Sequence, residues 1–319
     1  MLKKIWIAMV WLQALFGLIV LLVAGDLLVR GAVNFSLKIK IPAFIVSLTV
    51  VALGTSAPEL LVAIRAILND APGIALGNVV GSNIANVFLV LGIPALIAGI
   101  NTGNCNTGKN YLFMMAATMV FLFFAFFGNL SPSHGIVLLV LLAVFLFVTA
   151  KDALKVQKEI PFSEVENADP NLAFWKITLF LFLGLIGLPV GADILIENAS
   201  SIAKSYGLSD EIIGLTLIAL GTSLPELATT LMAAVRRQAE VALGNVIGSN
   251  IFNILAIVGI TTMFGNLPIA PSFYNFDFWI MFGAGVVLFP FVFMRANITR
   301  LWGAFLTLTY ASYLYITIQ

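Results

Sequence analysis

Apolar residues in this chain neither alternate nor return every third or fourth position on a polar background. They run together in blocks of about 17–25 residues, the length at which a helix crosses the hydrocarbon of a bilayer. Ten such blocks lie near residues 6–29, 43–67, 74–99, 111–128, 134–150, 173–197, 211–235, 241–264, 274–294 and 300–318. Membrane β-barrels instead show ~10-residue alternating strands, and that pattern is absent. The blocks predict an all-α integral membrane protein of ten transmembrane helices. The first block, "MLKKIWIAMVWLQALFGLIVLLVAG", imitates a signal peptide, but its apolar run is long for one and continues into "DLLVRGAVNF". It reads as an uncleaved first span.

The one sizeable polar stretch is "KDALKVQKEIPFSEVENADPN", Lys151–Asn171. It predicts a linker, 151–171, between halves 1–150 and 172–319 with five spans each. The halves repeat one another. Ile45–Leu60 against Ile212–Leu227 is identical at 11 of 16 positions, and Ala75–Asn86 against Ala242–Asn253 at 10 of 12. Both alignments share an offset of 167, on which Asp26 and Asp193 also fall. An odd number of spans per half makes the second half enter from the opposite side, giving inverted-topology repeats of the kind secondary transporters use.

Composition and charge narrow the picture. The chain of 319 residues is 61% hydrophobic and 10% charged, where soluble domains carry about 25% charged residues. A net charge of +1 gives no electrostatic case for nucleic acid. Cys105, the single cysteine, excludes an internal disulfide and reads as a plain free thiol, while His134 begins a span and reads as interfacial. No cofactor motif is present, and the partners expected are the bilayer and small inorganic cations, with no obligate protein partner. Lys and Arg set orientation. Four (Lys3, Lys4, Arg65, Lys204) fall on the N-terminal side and the other twelve on the side of the linker. The linker is therefore expected in the cytoplasm and both termini outside it.

Against this background two acids stand out. "GTSAPEL" (Gly54–Leu60) and "GTSLPEL" (Gly221–Leu227) each put Pro and Glu inside an apolar span. A charge near the bilayer centre costs ~2.5–3.5 kcal/mol on the lenient scales, so Glu59 and Glu226 need water, protons or cations. Pro58 and Pro225 break the helices of spans two and seven. Irregular backbone at that depth lines a cavity or is buried in protein, and carbonyls near Ala52, Leu53, Thr55 and their mates Ala219, Leu220 and Thr222 are expected to be freed. "GNVVGSNIANV" (Gly77–Val87) and "GNVIGSNIFNI" (Gly244–Ile254) add Ser82 with Asn86 and Ser249 with Asn253, each pair on one helical face. Gly77/Gly81 and Gly244/Gly248 read as close-packing faces. Asn78, Asn83, Asn245 and Asn250 lie on other faces and are assigned to structure. Hydroxyls, amides, carbonyls and carboxylates are hard ligands that suit Ca2+ and Na+ and not soft metals.

The paired G-T-S-x-P-E and G-N-x-x-G-S-N-I-x-N motifs, at 52–59 and 77–86 and again at 219–226 and 244–253, resemble the alpha repeats of sodium/calcium exchangers of the calcium/cation antiporter superfamily. The ten-span plan resembles the prokaryotic members, which implies a multi-pass protein of the cell (inner) membrane and no enzyme activity. The resemblance implies Na+/Ca2+ antiport by alternating access, with four adjacent cation sites around Glu59 and Glu226. The calcium-type site would use both carboxylates and the carbonyls of Thr55 and Thr222. Sodium-type sites would draw on Ala52, Ser56 and Ser249 toward one side, and on Ala219, Ser223 and Ser82 toward the other. The middle position would face Asn86 and Asn253. Many sodium/calcium exchangers carry Asp where Asn253 stands, and Asn is isosteric with a protonated Asp. The resemblance also implies that spans one and six move against a core of spans two, three, seven and eight. A proton/calcium antiporter is the alternative, although that family usually follows Gly-Asn with Glu and here Val79 and Val246 follow. From other classes, an intramembrane protease fits the hydroxyl-rich shells and broken helices less well than ion ligation does. Inverted halves favour a transporter over a channel.

Overall fold

The computed structural model describes residues 2–103, 105–159, 169, 171–206 and 219–318. Among these, the helices fall into ten successive spans. They are α1 (Leu2–Ile39), α2 (Ala43–Leu68), α3 (Pro72–Ala98), α4 (Gly108–Ala125), α5 (Pro132–Glu159) and α6 (Phe174–Ser205) in order. There follow α7 (pieces Ala219–Gly221 and Leu224–Val235), α8 (Ala239–Phe264), α9 (Phe273–Phe293) and α10 (Arg300–Ile318). Eight of them are long and apolar enough to cross a bilayer by themselves. The first part of span seven and residues 160–168 and 170 of the linker lie outside the described residues.

Three helices overrun their expected ends. α1 continues to Ile39, α5 to Glu159 and α6 to Ser205. Hydropathy marks only the hydrocarbon-crossing part, and a helix needs no apolar residues once it has left the bilayer. The first nine residues of the polar stretch, Lys151–Glu159, therefore extend α5 and are not linker coil.

α1 and α6 lie against each other along their length, and glycine allows the close approach. A Cβ at Gly17 would stand 2.7 Å from the Leu195 amide nitrogen, and one at Gly184 would stand 2.7 Å from the Leu28 Cβ. Shifting Gly17 and Leu28 by 167 gives Gly184 and Leu195, so these are one contact seen twice through a pseudo-two-fold axis. Inversion of the halves is written into the packing.

Two short β contacts join the halves at opposite ends. β1 (Asn129–Leu130) pairs antiparallel with β2 (Leu267–Pro268) on the face away from the linker, and Ile100 bridges Ile298 on the linker face. α8 is the most enclosed span. Gly244 lets it press on α2, where an added Cβ would meet the Phe44 carbonyl oxygen at 2.8 Å and the Leu48 nitrogen at 3.2 Å. The Ser47 hydroxyl locks the same contact by donating to the Val241 carbonyl at 2.6 Å. The packing role expected of Gly244 and Gly248 is what α8 shows.

Candidate cation site

The two proline-bearing spans break alike. Ser56 has φ −85° and ψ 4°, and Ser223 has φ −86° and ψ 0°. Each is followed by a fresh helix, Ala57–Leu68 or Leu224–Val235, whose first turn holds the proline and the glutamate. Before the break in α2, Ser47–Val51 is π-helical, a feature frequent at functional sites. Further irregularities come directly after the middle asparagines. Asn253–Ile257 is π-helical, and at the matching place the Val90 amide donates to the Ala85 carbonyl five residues back at 2.9 Å. α3 is interrupted there before resuming as Gly92–Ala98. Spans three and eight are thus irregular as well as two and seven.

Which carbonyls the prolines release differs from the sequence expectation. The Ala52 oxygen is engaged, accepting the Ser56 amide at 3.0 Å and the Thr55 hydroxyl at 3.3 Å. A proline at position 58 removes the helical partner of residue 54, so the released carbonyl belongs to Gly54, and by the same count to Gly221. In the second half the Ser223 amide turns to Leu220 at 3.1 Å. The Ala219 backbone is helical; its side chain lies outside the described residues.

The halves meet at the acids. Ser56 donates its hydroxyl to Glu226 Oε1 at 3.0 Å, which brings one break onto the other half's carboxylate. Glu59 and Glu226, each 1% exposed, lie within electrostatic reach of one another. Thr55, Ser56, Ser82, Asn86, Ser223, Ser249 and Asn253 are all buried, while Thr222 is half-buried. Among the described residues several of these buried atoms have no hydrogen-bond partner. They are Oε2 of both glutamates, the Ser223 and Ser249 hydroxyls, Asn86 Oδ1, and both amide atoms of Asn253. Leaving such groups unpaired costs about 1–3 kcal/mol each, more for charged ones. All but the Asn253 nitrogen are oxygens, which together make a donor set for hard cations.

The amides assigned to structure are the ones the sequence reading placed least well. Asn78 and Asn245 do not point away from the acids; they bond the backbone of Glu59 and Glu226. Asn250 links the halves at the middle level, accepting Asn86 Nδ2 at 3.0 Å and donating to the Asn83 carbonyl at 3.5 Å. Their recurrence at offset 167 was the available signal.

Among the described residues the two faces differ in access. A cavity of about 550 Å3 opens between α6, α2 and α7 on the face away from the linker, reaching Gly221, Thr222 and Pro225 and lined above by Val62, Asp193 and Glu197. Its mirror on the linker face is shut. There a Cβ at Gly25 of α1 would touch the Ala228 carbonyl oxygen at 3.0 Å and the Thr229 nitrogen at 3.3 Å, and Thr229, the image of the cavity-lining Val62, is fully buried.

Known proteins share this plan. The family model for the sodium/calcium exchanger protein matches residues 9–151 and 176–319. The sodium/calcium exchanger MaX1 of Methanosarcina acetivorans is 32% identical over 341 residues, covering 96% of this chain and 97% of that protein. The inner membrane protein YrbG of Escherichia coli is 31% identical over 275 residues, 85% of each. Among solved structures, the sodium-calcium exchanger NCX_Mj soaked with 10 mM Na+ and 10 mM Sr2+ superposes with a TM-score of 0.81 at 33% identity, over 96% of this chain and 97% of that one. With both repeats matched and relatives aligned end to end, the chain belongs to the sodium/calcium exchanger family.

Proposed function

We infer that this protein exchanges Na+ for Ca2+ across the membrane by alternating access, with the ion gradients as its energy source. One observation carries the reading: two buried carboxylates, brought to one locus by the Ser56–Glu226 hydrogen bond, are surrounded by hydroxyl and amide oxygens that have no partner among the described residues. Ca2+ takes 6–8 oxygens at about 2.3–2.6 Å, and one such ion balances two carboxylates. The cargo ions would be held by Glu59 and Glu226, the Thr55 and Thr222 carbonyls, Ser56, Ser223, Ser82 and Ser249. Asn86 and Asn253 would face the middle position. The breaks in α2 and α7 supply backbone oxygens at the same depth. The cavity on one face and its closed mirror on the other fit a state open to one side only. The charge bias of the loops supports assigning the open side to the exterior, with the linker in the cytoplasm.

The test is isotopic Ca2+ uptake into vesicles holding the purified protein. Uptake that requires Na+ on the opposite face supports the reading. Uptake driven by a pH gradient without Na+ replaces it with proton exchange, and uptake needing no counter-ion replaces it with a channel.

A further inference from the structure

Asn78 on α3 and Asn245 on α8 make the same pair of bonds, and each pair crosses between the halves. Asn78 Nδ2 donates to the Glu59 carbonyl at 3.3 Å, and its Oδ1 accepts the Thr222 hydroxyl at 3.3 Å. Asn245 Nδ2 donates to the Glu226 carbonyl at 3.3 Å, and its Oδ1 accepts the Thr55 hydroxyl at 3.3 Å. Every residue in the second set is the first set's image at 167. Each amide therefore grips the glutamate of its own half and the broken segment of the other half.

We propose that Asn78 and Asn245 are positioning residues for ion binding: they aim the glutamates and turn the threonine carbonyls, without touching the ion themselves. This rests on the Na+/Ca2+ reading of the site. Three features support it. Neither glutamate Oε2 has a hydrogen-bond partner among the described residues, so beyond the Ser56 bond to Glu226 Oε1 the backbone that carries each carboxylate helps to set its aim. The Thr55 hydroxyl shares its one proton between Asn245 Oδ1 and the Ala52 carbonyl, which ties the rotation of that residue to the amide of the other half. An amide is also the side chain that can give and accept at once; Asp would repel the Glu carbonyl and Leu would hold neither partner.

The brackets are unequal. Asn245 is fully buried and has a further bond to the Thr230 hydroxyl at 3.1 Å. The image of Thr230 is Ala63, which offers Asn78 nothing, and Asn78 is half-buried. The Asn245 bracket is the stiffer of the two, and its loss is expected to cost more.

The experiment compares Asn245→Ala, Thr55→Val, their double variant and Thr55→Ser with the wild type. Each is measured for Ca2+ affinity by calorimetry on purified protein and for half-saturating Ca2+ and the Ca2+/Sr2+ preference in vesicle exchange. Asn245→Ala and Thr55→Val should each weaken Ca2+ binding about tenfold and shift the Ca2+/Sr2+ preference. Because they remove one shared bond, the double variant should fall well short of the hundredfold product, and Thr55→Ser should stay near wild type. A role in folding alone would lower the yield of transporter but leave affinity and preference unmoved. Affinity within twofold of wild type in folded Asn245→Ala, or effects that multiply, would overturn the proposal. Should Asn245→Ala fail to fold, Asn78→Ala with Thr222→Val at the more exposed bracket gives the same comparison with a smaller expected loss. A wild type that binds Ca2+ but shows no Na+-dependent flux sinks the exchange reading and leaves this one to be judged by calorimetry.

Discussion

Arg236, one residue past the end of α7, forms an ion pair and hydrogen bond with Asp26 of α1, and among the described residues no matching pair joins the image positions on the opposite face. Arg30 also approaches Asp26, at 3.9 Å. The images of Asp26 and Arg30 are Asp193 and Glu197, both at the open cavity, and the image of Arg236 is Asn69. At these image positions cations stand where the protein is shut, and carboxylates where it is open.

The pair should therefore hold the linker face closed. Asp26→Asn or Arg236→Gln is expected to raise the reactivity of Thr229→Cys toward an impermeant thiol reagent from the linker side about fivefold, as for a partly exposed pair worth ~1 kcal/mol. Val62→Cys, at the cavity, should react from the other side in every background. Burial pushes the native Cys105 thiol up to about 12, with the Glu240 charge adding to it, so it stays protonated and gives little background. An unchanged rate at Thr229→Cys would separate the ion pair from closure.

Glu59→Gln and Glu226→Gln keep side-chain volume and remove one charge each. Ca2+ transport should fall at least a hundredfold, about 2.7 kcal/mol in binding, while the protein remains folded and inserted. Flux near wild type in either variant would remove that residue from the site.

Acid should inhibit exchange. A proton on either glutamate cancels charge that Ca2+ or Na+ needs, so proton occupancy rises and transport falls as pH falls. Sodium-driven Ca2+ flux measured against pH checks this. Indifference down to about pH 4, near the ordinary Glu value, would mean that these carboxylates do not bind the transported ions.

Orientation is testable apart from chemistry. A reporter fused after Gln319 should appear outside the cytoplasm, and one inserted at 163–167, outside the described residues, should appear inside. The reverse would overturn the charge bias of the loops and leave the repeat intact.

Close packing of α1 on α6 sets a stability test. Gly184→Leu would drive a side chain into Leu28, whose Cα lies 2.9 Å from the position of an added Cβ. Overpacking of this kind costs about 1–3 kcal/mol, read as a lower thermal midpoint in detergent. A midpoint equal to wild type would show that the helices can part without loss.

Spans, repeat and acids were legible because bilayer length, duplication and the cost of charge in hydrocarbon leave marks in residue type. Pro58 and Pro225 announced the breaks for the same reason. The irregular turns after Asn86 and Asn253 were not legible, since no residue type demands a five-residue hydrogen bond. The true length of α1 was hidden because Arg30, Lys38 and Lys40 read as a loop once hydropathy falls. The Arg236–Asp26 pair was hidden too: the repeat equates Asp26 with Asp193 and is silent on their different partners.

The crossed amide bonds make neither half self-sufficient. Thr55 answers to Asn245 and Thr222 to Asn78, so a fragment ending in the linker would carry a broken segment whose amide partner is on another molecule. Two such fragments produced together would have to reassociate, head against tail, before either could hold an ion. A gene cut in two at that point would thus behave as a strict complementation pair, silent alone and active only in company.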